Sequence, residues 1–426
     1  MRYKRYDKYK DSGIDWIGEM PEHWKISKLK YLIYCLDGKR IPLSSEQRGE
    51  MKGDIPYWGA NCIIDYVNDW IIDGEVVLLG EDGAPFFDRN KNVAFYSNEK
   101  IWPNNHVHIL RVSQSINAKF LTYTLNTVDY RNYINGSTRD KLTQSEMKNI
   151  FIQLPSPQEQ KSIVNFLDQK TAEIDGLIAD KEKLIELLQE KRQAIISETV
   201  TKGLNPNVKM KDSGIEWIRE IPEGWKITKI KYTTYVKGRI GWQGLRADEF
   251  IDEGPYLVTG TDFVNGKIFW ENCYHISDDR YNEAPEIHLK EGDLLITKDG
   301  TIGKTAIVKN KPEKATLNSG IFVTRPLNQI YITKYMYWLL NSSIFNRYID
   351  YVKTGSTINH LYQETFENFI YPLPEYDEQK AITDFLDQKT AEIDGLIADI
   401  HTQIQKLKEY RQSLISEAVT GKIKVC

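Results

Sequence analysis

Phe166-Leu167-Asp168-Gln169-Lys170-Thr171-Ala172-Glu173-Ile174-Asp175-Gly176-Leu177-Ile178-Ala179-Asp180 returns without one change as Phe385 to Asp399. Each copy opens a helical pattern. Seven-residue steps from Ile174 give Ile174, Lys181, Leu188 and Ile195, with Ile178, Ile185 and Arg192 interleaved. The second copy gives Ile393, Ile400, Leu407 and Leu414, with Ile397, Ile404 and Arg411. Such a narrow apolar seam, with charge on the other faces, would bury little against a broad domain surface, and it suits a second helix. The alternative is two amphipathic helices, each lying on its own domain. Because each helix closes one half of a repeat, a pseudo-two-fold axis would relate the halves and run the helices antiparallel. The predicted fold class is therefore α/β: two mixed α/β domains separated by two long helices packed as an antiparallel coiled coil, a spacer with one variable domain at each end.

A second stretch is also duplicated. Asp11-Ser12-Gly13-Ile14, Trp16-Ile17, Pro21-Glu22 and Trp24-Lys25-Ile26 return as Asp212-Ser213-Gly214-Ile215, Trp217-Ile218, Pro222-Glu223 and Trp225-Lys226-Ile227. Their tryptophans and isoleucines surround a Pro-Glu turn and are expected in the core, clamping this box onto the helical arm. Between the copies, Tyr31–Ile150 and Tyr232–Ile370 share little. Leu154-Pro155-Ser156-Pro157 and Tyr371-Pro372-Leu373-Pro374 cannot continue a helix or a central strand, so they mark domain exits. The boundaries predicted are a first variable domain with its box at 1–155, a first helix at 156–204, a second variable domain with its box at 205–374, and a second helix at 375–426.

Bulk properties narrow the class. The chain has 426 residues and 41% hydrophobic side chains, enough for two or three domains with cores. Cys35, Cys62, Cys273 and Cys426 are scattered without a CxxC, which suggests a reducing compartment and no zinc site. No apolar run approaches the ~20 residues of a membrane span and Met1-Arg2-Tyr3-Lys4-Arg5 lacks a signal-peptide core, so a cytoplasmic protein is expected. Net charge is −4, concentrated in the helical segments, which leaves the variable domains close to neutral. Phosphate binding depends on the local field, so this balance does not decide for or against DNA.

The box, the two dissimilar domains and the repeated long helix after a Leu-Pro exit together resemble the specificity (S) subunit of Type I restriction-modification systems, over about Asp11 to Ile423. The resemblance implies that each variable domain is a target recognition domain reading half of a bipartite double-stranded DNA sequence. It implies that the helices set the spacing and dock modification (M) subunits, two of them by the symmetry. S-adenosylmethionine would sit on the M partner, ATP and Mg on the restriction (R) partner, and no cofactor on this chain.

Base edges are read by forked donors and acceptors, Arg or Lys for guanine and Asn or Gln for adenine. The richest segment is Lys237-Gly238-Arg239-Ile240-Gly241-Trp242-Gln243-Gly244-Leu245-Arg246, which offers Lys237, Arg239, Gln243 and Arg246 as readers and Trp242 as a stacking wedge. The matching place in the first domain is Asp37-Gly38-Lys39-Arg40, giving Lys39 and Arg40. Two strand-like runs, Glu75–Leu79 and Asp293–Thr297, each lead into a polar turn, Gly80-Glu81-Asp82-Gly83 and Lys298-Asp299-Gly300-Thr301-Ile302-Gly303-Lys304. The second turn adds Lys298, Thr301 and Lys304. After Gly136-Ser137-Thr138 come Arg139 and Lys141, and after Gly355-Ser356-Thr357 come Asn359 and His360. Asn104, Asn105 and His106 complete the set of candidate contacts.

Two features imitate other chemistry. Gly303-Lys304-Thr305 resembles the end of a phosphate loop, but Lys298 stands where its first glycine is required. His106 and His108 lie two apart, on one side of a strand, with no third His or Cys nearby, so no metal site is predicted. No Asn/Asp-Pro-Pro-Tyr/Phe site, complete glycine-rich cofactor turn or nuclease carboxylate cluster is present, so no catalytic residue is assigned. The competing readings are a coiled-coil scaffold without DNA reading and an adenine methyltransferase with unrecognised motifs.

Overall fold

A computed structural model describes residues 3–134, 140–239, 245–353 and 360–425. The chain divides into two units, Met1–Lys183 with Ile400–Cys426, and Leu184–Asp399. Each unit holds one box, one variable domain and a part of each long helix.

In the first unit, a four-stranded antiparallel sheet runs in the order Ile33–Cys35, Val107–Val112, Val76–Gly80, Ala94–Ser97. Strand Val76–Gly80 is buried along its whole length. Its side chains alternate as a pleated strand requires. Val77 and Leu79 join Leu110, Phe120 and Leu121 in the main core, whereas Val76 and Leu78 face Ile72, Ile101, Val107 and Ile109. Helix Ala118–Leu125, capped by the Asn117 side chain on the Phe120 amide, covers the first face. A small sheet of Ile63–Val67, Lys52–Trp58 and Trp102–Pro103 lies beside it.

The second unit repeats the plan with more strands. Its six-stranded sheet runs Thr234–Gly238, Ile321–Pro326, Leu294–Thr297, Thr305–Ile307, Lys267–Ile268, Phe263–Val264. Leu294–Thr297 is again wholly buried, with Leu294 and Ile296 on one core and Leu295 on another. The box hairpins pair Tyr9–Asp11 with Glu19–Pro21 and Met210–Asp212 with Glu220–Pro222. Next to them, Lys25–Lys28 pairs with Phe151–Leu154 and Lys226–Lys229 with Ile370–Leu373.

The long helices are Pro157–Lys202 and Tyr376–Val419. Ser156 and Glu159 form a reciprocal cap at the first start, Ser156 Oγ accepting from the Glu159 amide at 3.3 Å and Glu159 Oε2 from the Ser156 amide at 3.1 Å. Ile174, Ile185, Ile393, Ile400, Ile404 and Leu414 are buried, and Ile178, Leu188, Ile195, Ile397 and Leu407 half-buried. In the first unit Ile174, Ile178, Leu407 and Leu414 pack in one cluster, Lys181 Nζ donates to Gln403 Oε1 at 2.6 Å, and Arg411 pairs with Asp175 at 2.9 Å. In the second unit Arg192 pairs with Asp394, also at 2.9 Å. The two helices thus pack together within each unit.

The boxes fasten these helices. Trp24 Nε1 donates to Glu159 at 3.1 Å, and Trp225 Nε1 to Glu378 at 2.9 Å. Ile17, Trp24, Ile218 and Trp225 are buried and Trp16, Ile26 and Trp217 half-buried, but Ile227 is exposed, outside the core expected for it. Buried Gln160 accepts from the Asn117 amide at 2.7 Å and donates to Pro155 O at 3.0 Å. Gln379 does the same with the Ile332 amide and Pro374 O, each at 2.9 Å. Among the described residues no helix is long and apolar enough to cross a membrane.

Candidate nucleic-acid interface

Each wholly buried strand ends in a turn held from two sides. In the first unit the Glu81 amide donates to His106 O at 2.9 Å, and the Leu142 amide to Glu81 O at 2.7 Å. In the second unit the Lys298 amide donates to Gly320 O at 2.8 Å, and the Leu361 amide to Lys298 O at 2.7 Å. Gly83 and Gly300 follow with φ of 68° and 66°, a left-handed conformation that glycine adopts without strain. The readers differ in sequence, yet their tips are tied by the same backbone bonds.

The first tip gathers several of the candidate residues. Arg40 Nη1 contacts Glu81 Oε2 and the carbonyls of Asn105 and Val107, both at 3.3 Å, while Arg40 Nε donates to Asp37 O at 3.0 Å. Lys141 Nζ lies 3.3 Å from the other Glu81 oxygen, and its side chain is about half exposed. Asn104 is buried and its Oδ1 accepts from the His106 amide at 2.7 Å, so it shapes the loop. Asn105 and Lys39 are exposed, and the His106 ring meets Asp82. Arg139 lies outside the described residues.

Beneath this tip is a buried ion cluster that sequence spacing missed. His108 Nδ1 meets Asp37 Oδ2 at 2.6 Å and Nε2 meets Leu142 O at 2.8 Å. A carbonyl only accepts, so Nε2 carries a proton. Burial by itself would raise the Asp37 carboxyl, but hydrogen bonds from His108 and the Ile109 amide, with the charges of His108 and Arg40, hold it far below the carboxylate range. Asp37, Glu81 and His108 place potential ligand atoms within 4.8 Å of one another. Their oxygens are taken by N–H groups of Ile109, Arg40 and Lys141, and the arrangement suits an ion network that fixes the tip. The second reader uses other chemistry at the same place. Phe322 stands where His108 does, and Lys298 lies over its ring at 4.9 Å, where burial pushes the ammonium below its ordinary range.

The remaining second-unit candidates are dispersed. Lys237 and Arg246 are exposed, and the Arg246 amide is held by Glu249 at 2.8 Å. Arg239 is 2% exposed, with Nε donating to Leu317 O at 2.9 Å and Nη2 on Thr316 at 3.5 Å. In this conformation it offers no edge to a ligand, contrary to the reader role expected from its glycine-rich setting. Burial and the nearby Arg280 charge depress its guanidinium. Thr301 and Lys304 are exposed, Lys304 Nζ reaching Gly260 O at 3.2 Å. Lys304 leads into strand Thr305–Ile307 and not a helix, as a phosphate loop would require. His360 contacts Asp299 through Nδ1. Trp242, Gln243 and Asn359 lie outside the described residues.

The family model described as Type I restriction modification DNA specificity domain matches twice, over residues 21–187 and 222–406. The chain is 24% identical to the type I restriction enzyme MjaVIII specificity subunit of Methanocaldococcus jannaschii, over 95% of this chain and 94% of that one. It is 26% identical to a putative type I restriction enzyme specificity subunit of Haemophilus influenzae, over 92% and 95%. A chain from a structure concerning complex assembly and conformational transition of a type I R-M system superposes with TM-score 0.68, at 15% identity, over 94% of this chain and 98% of that one. The HsdS subunit from Thermoanaerobacter tengcongensis superposes with TM-score 0.52, at 15% identity, over 95% and 98%.

Proposed function

The chain belongs to the Type I restriction-modification DNA specificity family, and from that premise we propose that its two units each read one half of a bipartite DNA target. It is a non-catalytic DNA-recognition subunit, of a kind that acts on DNA with M and R subunits. The observation that carries the bipartite reading is internal: the family model matches once in each half, and both halves build the same buried strand and two-sided tip from different sequences. Two similar scaffolds with different tips suit two different half-sites.

The helices act as an antiparallel coiled coil that sets the gap. Asp175 and Asp394 hold the same place in the repeated run, and Arg192 and Arg411 hold equivalent places after it. Their reciprocal pairs, Asp175 with Arg411 and Asp394 with Arg192, support one helix rising as the other falls. Each exposed pair contributes only about 0–1 kcal/mol, so the apolar seam supplies the stability and the pairs favour the register. The duplicated frame would dock two M subunits, which carry S-adenosylmethionine, while R subunits bring ATP and Mg; the chain works in the cytoplasm without a cofactor of its own. Candidate readers are the exposed groups of the tips, Lys39, Asn105 and Lys141 in the first unit and Thr301 and Lys304 in the second, with the half-exposed His106 and His360.

The test is methylome sequencing of a host expressing the chain with its M partner. A two-part methylated motif is expected, lost when either protein is omitted. A single contiguous motif, or methyl transfer by the purified chain alone, would overturn the reading.

A further inference from the structure

Asp82 and Asp299 occupy the same position in the two tips, each just before a left-handed glycine. Each bridges backbone to the strand-like segment that returns to the tip, Asp82 with Lys141 and Asp299 with His360. Each carboxylate also meets the Nδ1 of a histidine, Asp82 that of His106 at 2.5 Å and Asp299 that of His360. The histidines come from opposite sides. Gly320 takes the backbone place of His106 in the second unit, and Lys141 takes the place of His360 in the first. The aspartate is therefore the fixed part of the device, while the loop that delivers the imidazole has changed.

From this repetition we infer that Asp82 and Asp299 are positioning residues for specificity, each orienting a histidine, His106 or His360, whose outer nitrogen contacts a base edge. The inference rests on the tips facing DNA, as in the bipartite reading above. A carboxylate that accepts from Nδ1–H fixes the ring orientation and the tautomer, leaving Nε2 as the outward group. In the neutral ring Nε2 is an acceptor, matched in the major groove by the amino group of adenine or cytosine. The exposures fit this use: the side chains of His106 and His360 are 38% and 35% exposed, open on one side and held on the other. Packing alone does not account for the pairs, because the histidines reach the same carboxylate position from unrelated loops. A second reader with a different target needs its base-reading group elsewhere, and moving the histidine while keeping its anchor achieves that.

The experiment uses the full chain with its M partner and reads methylation by position within each half-site. Asp82→Ala and His106→Ala should relax the same base in one half-site, with a loss of preference of roughly tenfold. Asp299→Ala and His360→Ala should do so in the other half-site. Asp82→Asn and Asp299→Asn keep an oxygen that accepts from Nδ1–H, so they should retain most of the preference, which a charge or folding effect would not spare. Thermal unfolding and retained M binding identify variants that remain folded. Folded alanine variants that leave the motif unchanged, alter both half-sites equally, or alter a different base from their histidine would overturn the assignment. A wild-type motif without two parts would instead remove the two-reader premise, and this inference with it.

Discussion

Glu159 joins the first box to the start of its helix, accepting from Trp24 Nε1 at 3.1 Å, from His23 at 2.8 Å and from Ser156 Oγ at 2.7 Å. Burial alone would raise this carboxyl, yet bonds from His23, Ser156 and Trp24 outweigh it and lower the value from 4.5 to about 2. A depressed carboxylate stabilises the fold fully above its unfolded value, and that contribution is lost as pH falls through the folded one. The wild-type chain should therefore exceed Glu159→Gln in stability by a constant margin above about pH 5, and the margin should shrink as pH falls from 4.5 towards 2. Denaturation midpoints of both proteins across that window give the check; a margin independent of pH would show that the charge is irrelevant. Four donors, from Trp24, His23 and the amide and hydroxyl of Ser156, thus converge on Glu159, whereas the more deeply buried Arg239 keeps only Leu317 O and Thr316 as partners among the described residues.

At the scale of elements, each long helix ends against a box. Gly203 has φ of 71° and Gly421 of 74°, a left-handed termination in which the Gly203 amide turns back to Thr199 O and the Lys422 amide to Glu417 O. A Cβ on Gly421 would lie 2.4 Å from Pro21 Cδ, and one on Gly203 would lie 2.9 Å from Glu378 Oε1 and 3.2 Å from a Trp225 ring carbon. Alanine at either site meets about 1–2 kcal/mol of left-handed strain. At Gly421 the proline ring cannot rotate away, so overpacking adds about 1–3 kcal/mol, while the Glu378 carboxylate can swing aside. Gly421→Ala should thus be the more destabilising of the two, measured by thermal or denaturant unfolding, and equal costs would mean that the box does not press on the helix end. These helices and boxes were legible in the sequence because duplication and a seven-residue period are properties of the chain itself. The tip chemistry was not. Asp37 meets His108 only because Ile33–Cys35 pairs with Val107–Val112, and Arg239 is buried by residues near Leu317 on a distant segment. The Asp-Gly turns were visible as turns, and their common offset after each buried strand was the one signal that pointed to Asp82 and Asp299.

For the whole molecule, the spacing reading makes a demand on both helices at once. Ile196 and Val200 are fully buried in the core of the second unit, so residues inserted near the end of the first helix would disrupt that core rather than lengthen a spacer. The division between units falls instead at Lys183/Leu184 on one helix and Asp399/Ile400 on the other. Seven residues inserted at both places keep the seam in phase on both helices, because the apolar pattern repeats every seven. The insertion adds about 10 Å at 1.5 Å per residue, equal to about three base pairs at 3.4 Å each. Insertion in one helix alone leaves the partner too short and should abolish activity. The paired insertion should preserve both half-sites and lengthen the gap between them by about three base pairs. Three base pairs also turn the duplex by nearly a third of a helical repeat, whereas one heptad turns the helix pair by only about 20°. The difference must be taken up by twisting or bending DNA, so affinity should fall although the motif is retained. Methylome sequencing of the paired-insertion chain with its M partner reads the gap directly, and normal activity at the original gap would mean that the helices do not set the distance.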